Sequence, residues 1–324
     1  MYSQNNNNVS PLEIYSWEML QARLNKAMLS LQYGNKPSEP RNRKRDKQPA
    51  DPRLQLCTNE TVMLSVFRYL TKNERLVAMR VCKAWERMAV HPSLWKSVNA
   101  SHQRIESAQL TGVVRRLPET LDLNWSKIEK EHLSWLLTRL PQLRELHLQG
   151  QALEVVGQLY TIHCPPLRLL DISFTADLTD ANINKLFSPP NCIRTFQSVL
   201  TTKMVDLKEL HLAGTLIGDD GVLSIAKILP SLTYLDVKCC LNVTDLSVVF
   251  LSHPQTPISS NLVNLDMRGC HQLTYASFDY FPSLPSLRKL ALYPCWNLPL
   301  KLLQHWGRRY GFVVNSDKIL EKFK

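Results

Sequence analysis

The residues best equipped for nucleophilic, redox or metal chemistry in this chain are its eight cysteines and nine histidines, and their spacing argues against all three. Cys57, Cys82, Cys164, Cys192, Cys239, Cys240, Cys270 and Cys295 form no C-x-x-C pair, the spacing that lets two thiolates converge on one zinc ion or one redox disulfide. No histidine is followed two residues later by Asp or Glu, as a common facial iron site would need. Phosphate-loop, nucleophile-elbow and H-E-x-x-H sequences are also absent. The chain is therefore expected to be no enzyme and to hold no metal and no cofactor. Cys240 and Cys270 recur at one place after an apolar strand pattern, where a small thiol packs well in a core.

One polar series stands out. Between two apolar strand positions lie, in turn, Asp122, His147, Asp171, His211, Asp236, Asp266 and Ala291. On neighbouring parallel strands about 4.8 Å apart these side chains form a row on one solvent-facing side. A row does not surround a point, so it suits mutual support between neighbours better than an ion.

The elements that position this row come from a repeat. Apolar-x-apolar pairs recur at Leu121/Leu123, Leu146/Leu148, Leu170/Ile172, Leu210/Leu212, Leu235/Val237, Leu265/Met267 and Leu290/Leu292, mostly at intervals of 24 to 30 residues, with one interval of 40. That period with L-x-x-L-x-L is the leucine-rich-repeat signature. Each repeat gives a short strand and then a helix, such as Glu131–Leu140, Asp180–Phe187 and Asp219–Leu229, ended by Pro141, Pro189 or Pro230. The fold class is α/β, with parallel strands on the concave face and helices on the convex face. The long interval leaves 188–206 as an insertion, either a loop or a degraded repeat.

Before the repeats the pattern is different. Residues 1–53 read as an N-terminal extension, with a helix-like stretch at 11–32 and a basic, proline-containing linker including Arg41, Arg43, Lys44, Arg45 and Lys47. Residues 54–97 form short helices that bury little core alone and are too small for an independent enzyme domain, and 98–324 hold the repeats. No apolar run reaches membrane-spanning length and no leader opens the chain, so the cytosolic or nuclear side is expected. The basic cluster at 41–47 can serve as a nuclear-import signal, which makes the expected location nuclear, with the cytoplasm as a further one. Net charge is +11, but the repeat region carries 23 basic against 20 acidic residues, so direct nucleic-acid binding is not expected.

The segments Val66-Phe67-Arg68-Tyr69-Leu70, Arg80-Val81-Cys82-Lys83-Ala84-Trp85 and Pro92-Ser93-Leu94-Trp95 resemble an F-box. From about Val62 onward, Arg115-Arg116, Leu121-Asp122-Leu123-Asn124-Trp125, Arg139-Leu140-Pro141 and Asp317-Lys318-Ile319-Leu320-Glu321-Lys322 are similar to the carboxy-terminal part of the F-box-bearing JmjC histone lysine demethylases. The catalytic and DNA-reading domains of that family have no counterpart in this sequence, and Thr58-Asn59 stands where an F-box usually opens with Leu-Pro.

This resemblance implies an adaptor that binds the Skp subunit, and through it the cullin, of a Skp-cullin-F-box ubiquitin ligase. The alternative it implies is a chromatin-associated scaffold joining a Polycomb RING-finger subunit. The expected Skp-contacting residues are Val62, Val66, Phe67, Leu70, Val81, Cys82 and Trp85. An unidentified protein cargo would meet Asp122, Arg144, His147, Asp171, Lys208, His211, Tyr234, Asp236, Asp266, Arg268 and Tyr293 on the repeats. Trp125, Trp135, Trp296 and Trp306 are expected to be packed inside.

Overall fold

A computed structural model describes residues 57, 59–160, 164–187, 204–315 and 317–322. By internal contacts the chain divides into Met1–Gln55 and Leu56–Lys324, and every described residue belongs to the second unit. The expected amino-terminal helix, the basic linker and most of the 188–206 insertion lie outside the described residues.

Three short helices come first: α1 (Glu60–Phe67), α2 (Lys72–Ala78) and α3 (Lys83–Ala89), followed by a 3-10 turn at Pro92–Leu94. Helices of two turns do not persist alone, so caps and packing must hold them. Asn59 accepts the Val62 N–H at 3.2 Å at the start of α1. Thr71 and Glu74 cap α2 reciprocally, and Cys82 Sγ accepts the Trp85 N–H at the start of α3. Their packing is a small separate core of Met63, Phe67, Ala78, Met88, Ala89, Leu94 and Trp95.

Eight parallel strands follow in chain order: β1 (Ser97–Asn99), β2 (Thr120–Asp122), β3 (Glu145–His147), β4 (Leu169–Asp171), β5 (Glu209–His211), β6 (Tyr234–Asp236), β7 (Asn264–Asp266) and β8 (Lys289–Ala291). Two antiparallel strands, β9 (Val313–Val314) and β10 (Leu320–Glu321), close the sheet in the order β8-β10-β9. The central leucines Leu121, Leu146, Leu170, Leu210, Leu235, Leu265 and Leu290 sit in register and are buried. Burying each contributes roughly 1.5–3 kcal/mol, and the same burial forbids a one-residue slip. β1 is a strand the leucine pattern did not mark; Val98 takes the leucine place beside Leu121. β4 pairs directly with β5, so no strand stands between them across the long interval.

The other side of the sheet is helical: α4 (Ser107–Arg116), α5 (Lys130–Arg139), α6 (Leu153–Val156), α7 (Asp180–Phe187), α8 (Asp219–Ile228), α9 (Asp245–Ser252) and α10 (Leu300–Tyr310). Between β7 and β8, 3-10 turns at Tyr275–Asp279 and Phe281–Ser283 take the place of a helix. Helices pack about 8–10 Å apart and strands about 4.8 Å apart, so stacking curves the sheet toward its strand-lined side. No helix among the described residues is long and apolar enough to cross a membrane.

Candidate docking surfaces

The helical module uses part of its apolar surface and leaves the rest uncovered. Phe67 is 1% exposed and packs edge-on against Trp85, with ring centroids 5.5 Å apart. Its expected place on the docking surface is therefore corrected: it is the floor of the module's own core, because the i to i+4 pair Met63/Phe67 is the face of α1 turned inward. Val62 and Val66, one residue earlier in each turn, are exposed, as is Cys82. Leu70, Val81 and Trp85 are half-buried, and Trp85 Nε1 donates to the Cys57 carbonyl at 3.0 Å. The sequence reading missed Tyr69, 91% exposed just past the end of α1, and Leu76 on α2, also exposed. The place of Tyr69 immediately after a capped two-turn helix could have signalled it.

Arginines tie this module together. Arg75 donates from Nε to the Phe67 carbonyl at 3.0 Å, from Nη2 to the Arg68 carbonyl at 3.3 Å and from Nη1 to the Leu94 carbonyl. Its guanidinium and that of Arg116 both lie over the Trp95 ring, 5.7 and 4.5 Å from the centroid. Arg116 belongs to α4, the first repeat helix, and burial, with Arg115 adding to it, draws its pKa below the ordinary arginine value. A single aromatic side chain thus joins the helical module to the first repeat.

On the strand-lined face the polar row forms as its spacing requires, in the register Asn99, Asp122, His147, Asp171, His211, Asp236, Asp266 and Ala291. The carboxylates are engaged locally: Asp122, Asp171, Asp236 and Asp266 each accept the backbone N–H two residues on, at 2.9–3.2 Å. This turns the chain out of the strand. Asp236 and Asp266 are only 2% and 4% exposed, which corrects their expected role as partner contacts. What they present outward are their cations. Lys238 Nζ lies 3.1 Å from Asp236, and Arg268 grips Asp266 through Nε and Nη2.

His211 Nδ1 lies 3.4 Å from Asp236 Oδ2, and the His211 ring rests 4.8 Å from the Tyr234 ring. Burial raises the Asp236 pKa, but the His211 and Lys238 hydrogen bonds outweigh it and hold the carboxyl below its ordinary value. Burial, then Asp236 and Asp266, push the Tyr234 phenol up to about 12. Bonding to Asp266 raises Arg268 despite its desolvation. Lys318 sits over the half-buried Tyr293 ring at 4.3 Å. Arg144 and Lys208 lie one residue ahead of β3 and β5, at the edge where the strands begin. No group of three or more His, Cys, Asp or Glu that could hold a metal occurs among the described residues.

Cys240, Cys270 and Cys295 are buried, and their thiols donate to the Leu212, Val237 and Met267 carbonyls. Burial pushes all three thiols up, Cys295 to about 11, so they stay protonated and inert. Two tryptophans depart from the packing expectation. Trp296 is 81% exposed and stacks on His271, and Trp125 is half exposed with its ring laid on Gly150. Trp306 is buried among Phe278, Phe281 and Phe312, and Trp135 is half-buried.

Residues 60–101, which hold the three helices, the 3-10 turn and β1, match the family model described as F-box-like. The chain carries an F-box-like domain. Its F-box and repeat region is homologous to the carboxy-terminal region of two demethylases. It is 32% identical over 278 residues to lysine-specific demethylase 2B of Mus musculus and 33% identical over 235 residues to lysine-specific demethylase 2A of Xenopus tropicalis, 86% and 72% of this chain. The chain spans about a fifth of the length of these relatives, 21% and 20%. Among solved structures, a chain of the yeast Rad7 and Elc1 complex aligns over 93% of this chain and 91% of its own, at 14% identity and a TM-score of 0.38.

Proposed function

We propose that this chain is a non-catalytic adaptor whose F-box binds the Skp subunit of a Skp-cullin-F-box ubiquitin ligase while the repeats hold a protein cargo. The observation that carries the reading is an exposed apolar series on the F-box-like domain, Val62, Val66, Tyr69 and Leu76, lying outside a core that is already closed by Phe67 and Trp95. Exposed apolar and aromatic side chains beside a closed core are what a protein interface covers. Val81, Cys82, Leu70 and Trp85 would border the same contact. Lys72 and Lys83, exposed nearby, would speed association with an acidic subunit.

Co-purification of Skp and cullin with the full chain tests this. Val66→Asp combined with Tyr69→Ala should abolish capture while the thermal melt is unchanged; full capture by the double variant would reject the F-box assignment. Similarity to the two demethylases favours a second reading, a nuclear chromatin scaffold, for which we propose a Polycomb RING-finger subunit as the partner. Recovery of that subunit without cullin would decide for it.

A further inference from the structure

The entry edge of the sheet carries three cations in a line. Arg144, Arg168 and Lys208 each stand one residue ahead of β3, β4 and β5, and the backbone ladder runs through them: the Arg168 N–H donates to the Arg144 carbonyl at 2.6 Å and the Lys208 N–H to the Arg168 carbonyl at 2.8 Å. Strand spacing therefore sets the backbones of the three residues about 4.8 Å apart, with like-charged side chains along one edge. Like charges directly opposite one another on adjacent strands are destabilising, so folding alone gives no reason for the arrangement.

The counter-charges are too few. Asp206 is the single carboxylate lining the cavity of about 420 Å³ that these residues surround. Glu145 and Glu209 follow their cations by one residue and so belong to the opposite side of the pleat, where Glu145 accepts the Thr120 hydroxyl at 2.8 Å. Arg144 spends one N–H on the Pro166 carbonyl at 3.1 Å. Among the described residues the Arg168 guanidinium and the Lys208 ammonium have no hydrogen-bond or ion-pair partner, and both residues are exposed.

We infer that this cradle binds a phosphoryl group on a segment of a protein partner. Two planar guanidiniums and an ammonium around one opening match the several acceptor oxygens and double charge of a phosphate better than a single carboxylate. The inference rests on the reading that the repeats hold a protein, and it gives that protein a chemistry: its contact segment is phosphorylated.

The test titrates the full chain with inorganic phosphate and with O-phosphoserine at fixed ionic strength, using serine as control, and follows the arginine side-chain N–H signals by NMR. Saturable shifts at Arg144 and Arg168, with binding weakened at least about tenfold in Arg168→Gln and in Lys208→Gln, are expected from the loss of one charge-assisted bond each. Both substitutions are at exposed positions, and Skp capture should be unaffected. Absence of saturation, or variants that bind like the parent, would overturn the cradle. A random single-stranded oligonucleotide that binds tightly and loses affinity steeply with salt would reassign it to nucleic acid. If phosphate binds as described and Skp is not captured, the cradle stands and the adaptor reading falls.

Discussion

The carboxylate of Asp219 reaches from the start of α8 into the next repeat, where it accepts the Thr244 N–H at 2.9 Å and the Thr244 hydroxyl at 2.7 Å. The same carboxylate also accepts the Ser247 N–H at 3.1 Å, at the start of α9. One repeat later Asp245 does the same for Thr274, at 2.8 and 2.6 Å. These are staples between repeats, each satisfying a helix-start N–H and placing negative charge there. Asp219→Ala should lower stability by roughly 2–4 kcal/mol, since several bonded groups lose their partner at once. Urea unfolding of the variant checks this, with Asp220→Ala on the exposed side of the same turn as the near-silent control.

Gly150 has φ +71°, and a Cβ there would stand 2.3 Å from the Trp125 ring. Gly214 bears the same relation to Phe174, whose ring lies 6.0 Å from that of Trp125. Gly150→Ala should cost on the order of 1–3 kcal/mol through backbone strain and displacement of the ring. Because Trp125 must move, its fluorescence should shift with it. In a Trp125→Ala background the steric part should vanish, leaving only the backbone part.

Tyr234 gives the sheet a high-pH sensitivity. Its folded pKa is about 12, above the ordinary phenol value of about 10. The protonated form is the one the fold accepts, so its contribution is intact below about pH 10 and lost as pH rises toward 12. Asp236 acts in the opposite direction: its folded pKa lies below the ordinary value, so its contribution is present above the ordinary carboxylate range and fades as pH falls through the folded value. Tyr234→Phe should reduce the alkaline loss to the part owed to the buried thiols Cys240, Cys270 and Cys295, while leaving the acid one, read by thermal melts across both ranges.

Adjacent residues on α1 should behave differently. Phe67→Ala opens the small core and should destabilise the F-box-like domain by about 3–5 kcal/mol. Val66→Asp, at an exposed site, should leave stability within about 0.5 kcal/mol and act on partner capture alone. A melt of both variants separates a core residue from a surface one.

Much of the fold was already present in the order of the residues. The leucine pairs define strand centres because a strand's side chains alternate with period two and only one register buries every leucine. The polar row between them followed from the same arithmetic, whereas its continuation across the long interval was decided only by the direct pairing of β4 with β5. β1 escaped notice because Ser97-Val98-Asn99 carries no leucine.

Tertiary packing decided which of those side chains meet solvent. Phe67 and Tyr69 are both large aromatics in one stretch, yet α1 turns one into the core and its end releases the other. Asp236 and Asp266 look like free carboxylates in sequence, but the neighbouring strands bury them beneath Lys238 and Arg268. Arg168 is one charged residue among many until stacking sets it between Arg144 and Lys208, residues 24 and 40 positions away. Periodicity is a local property that a chain carries along its length, whereas exposure and charge density arise only when distant segments share the same space.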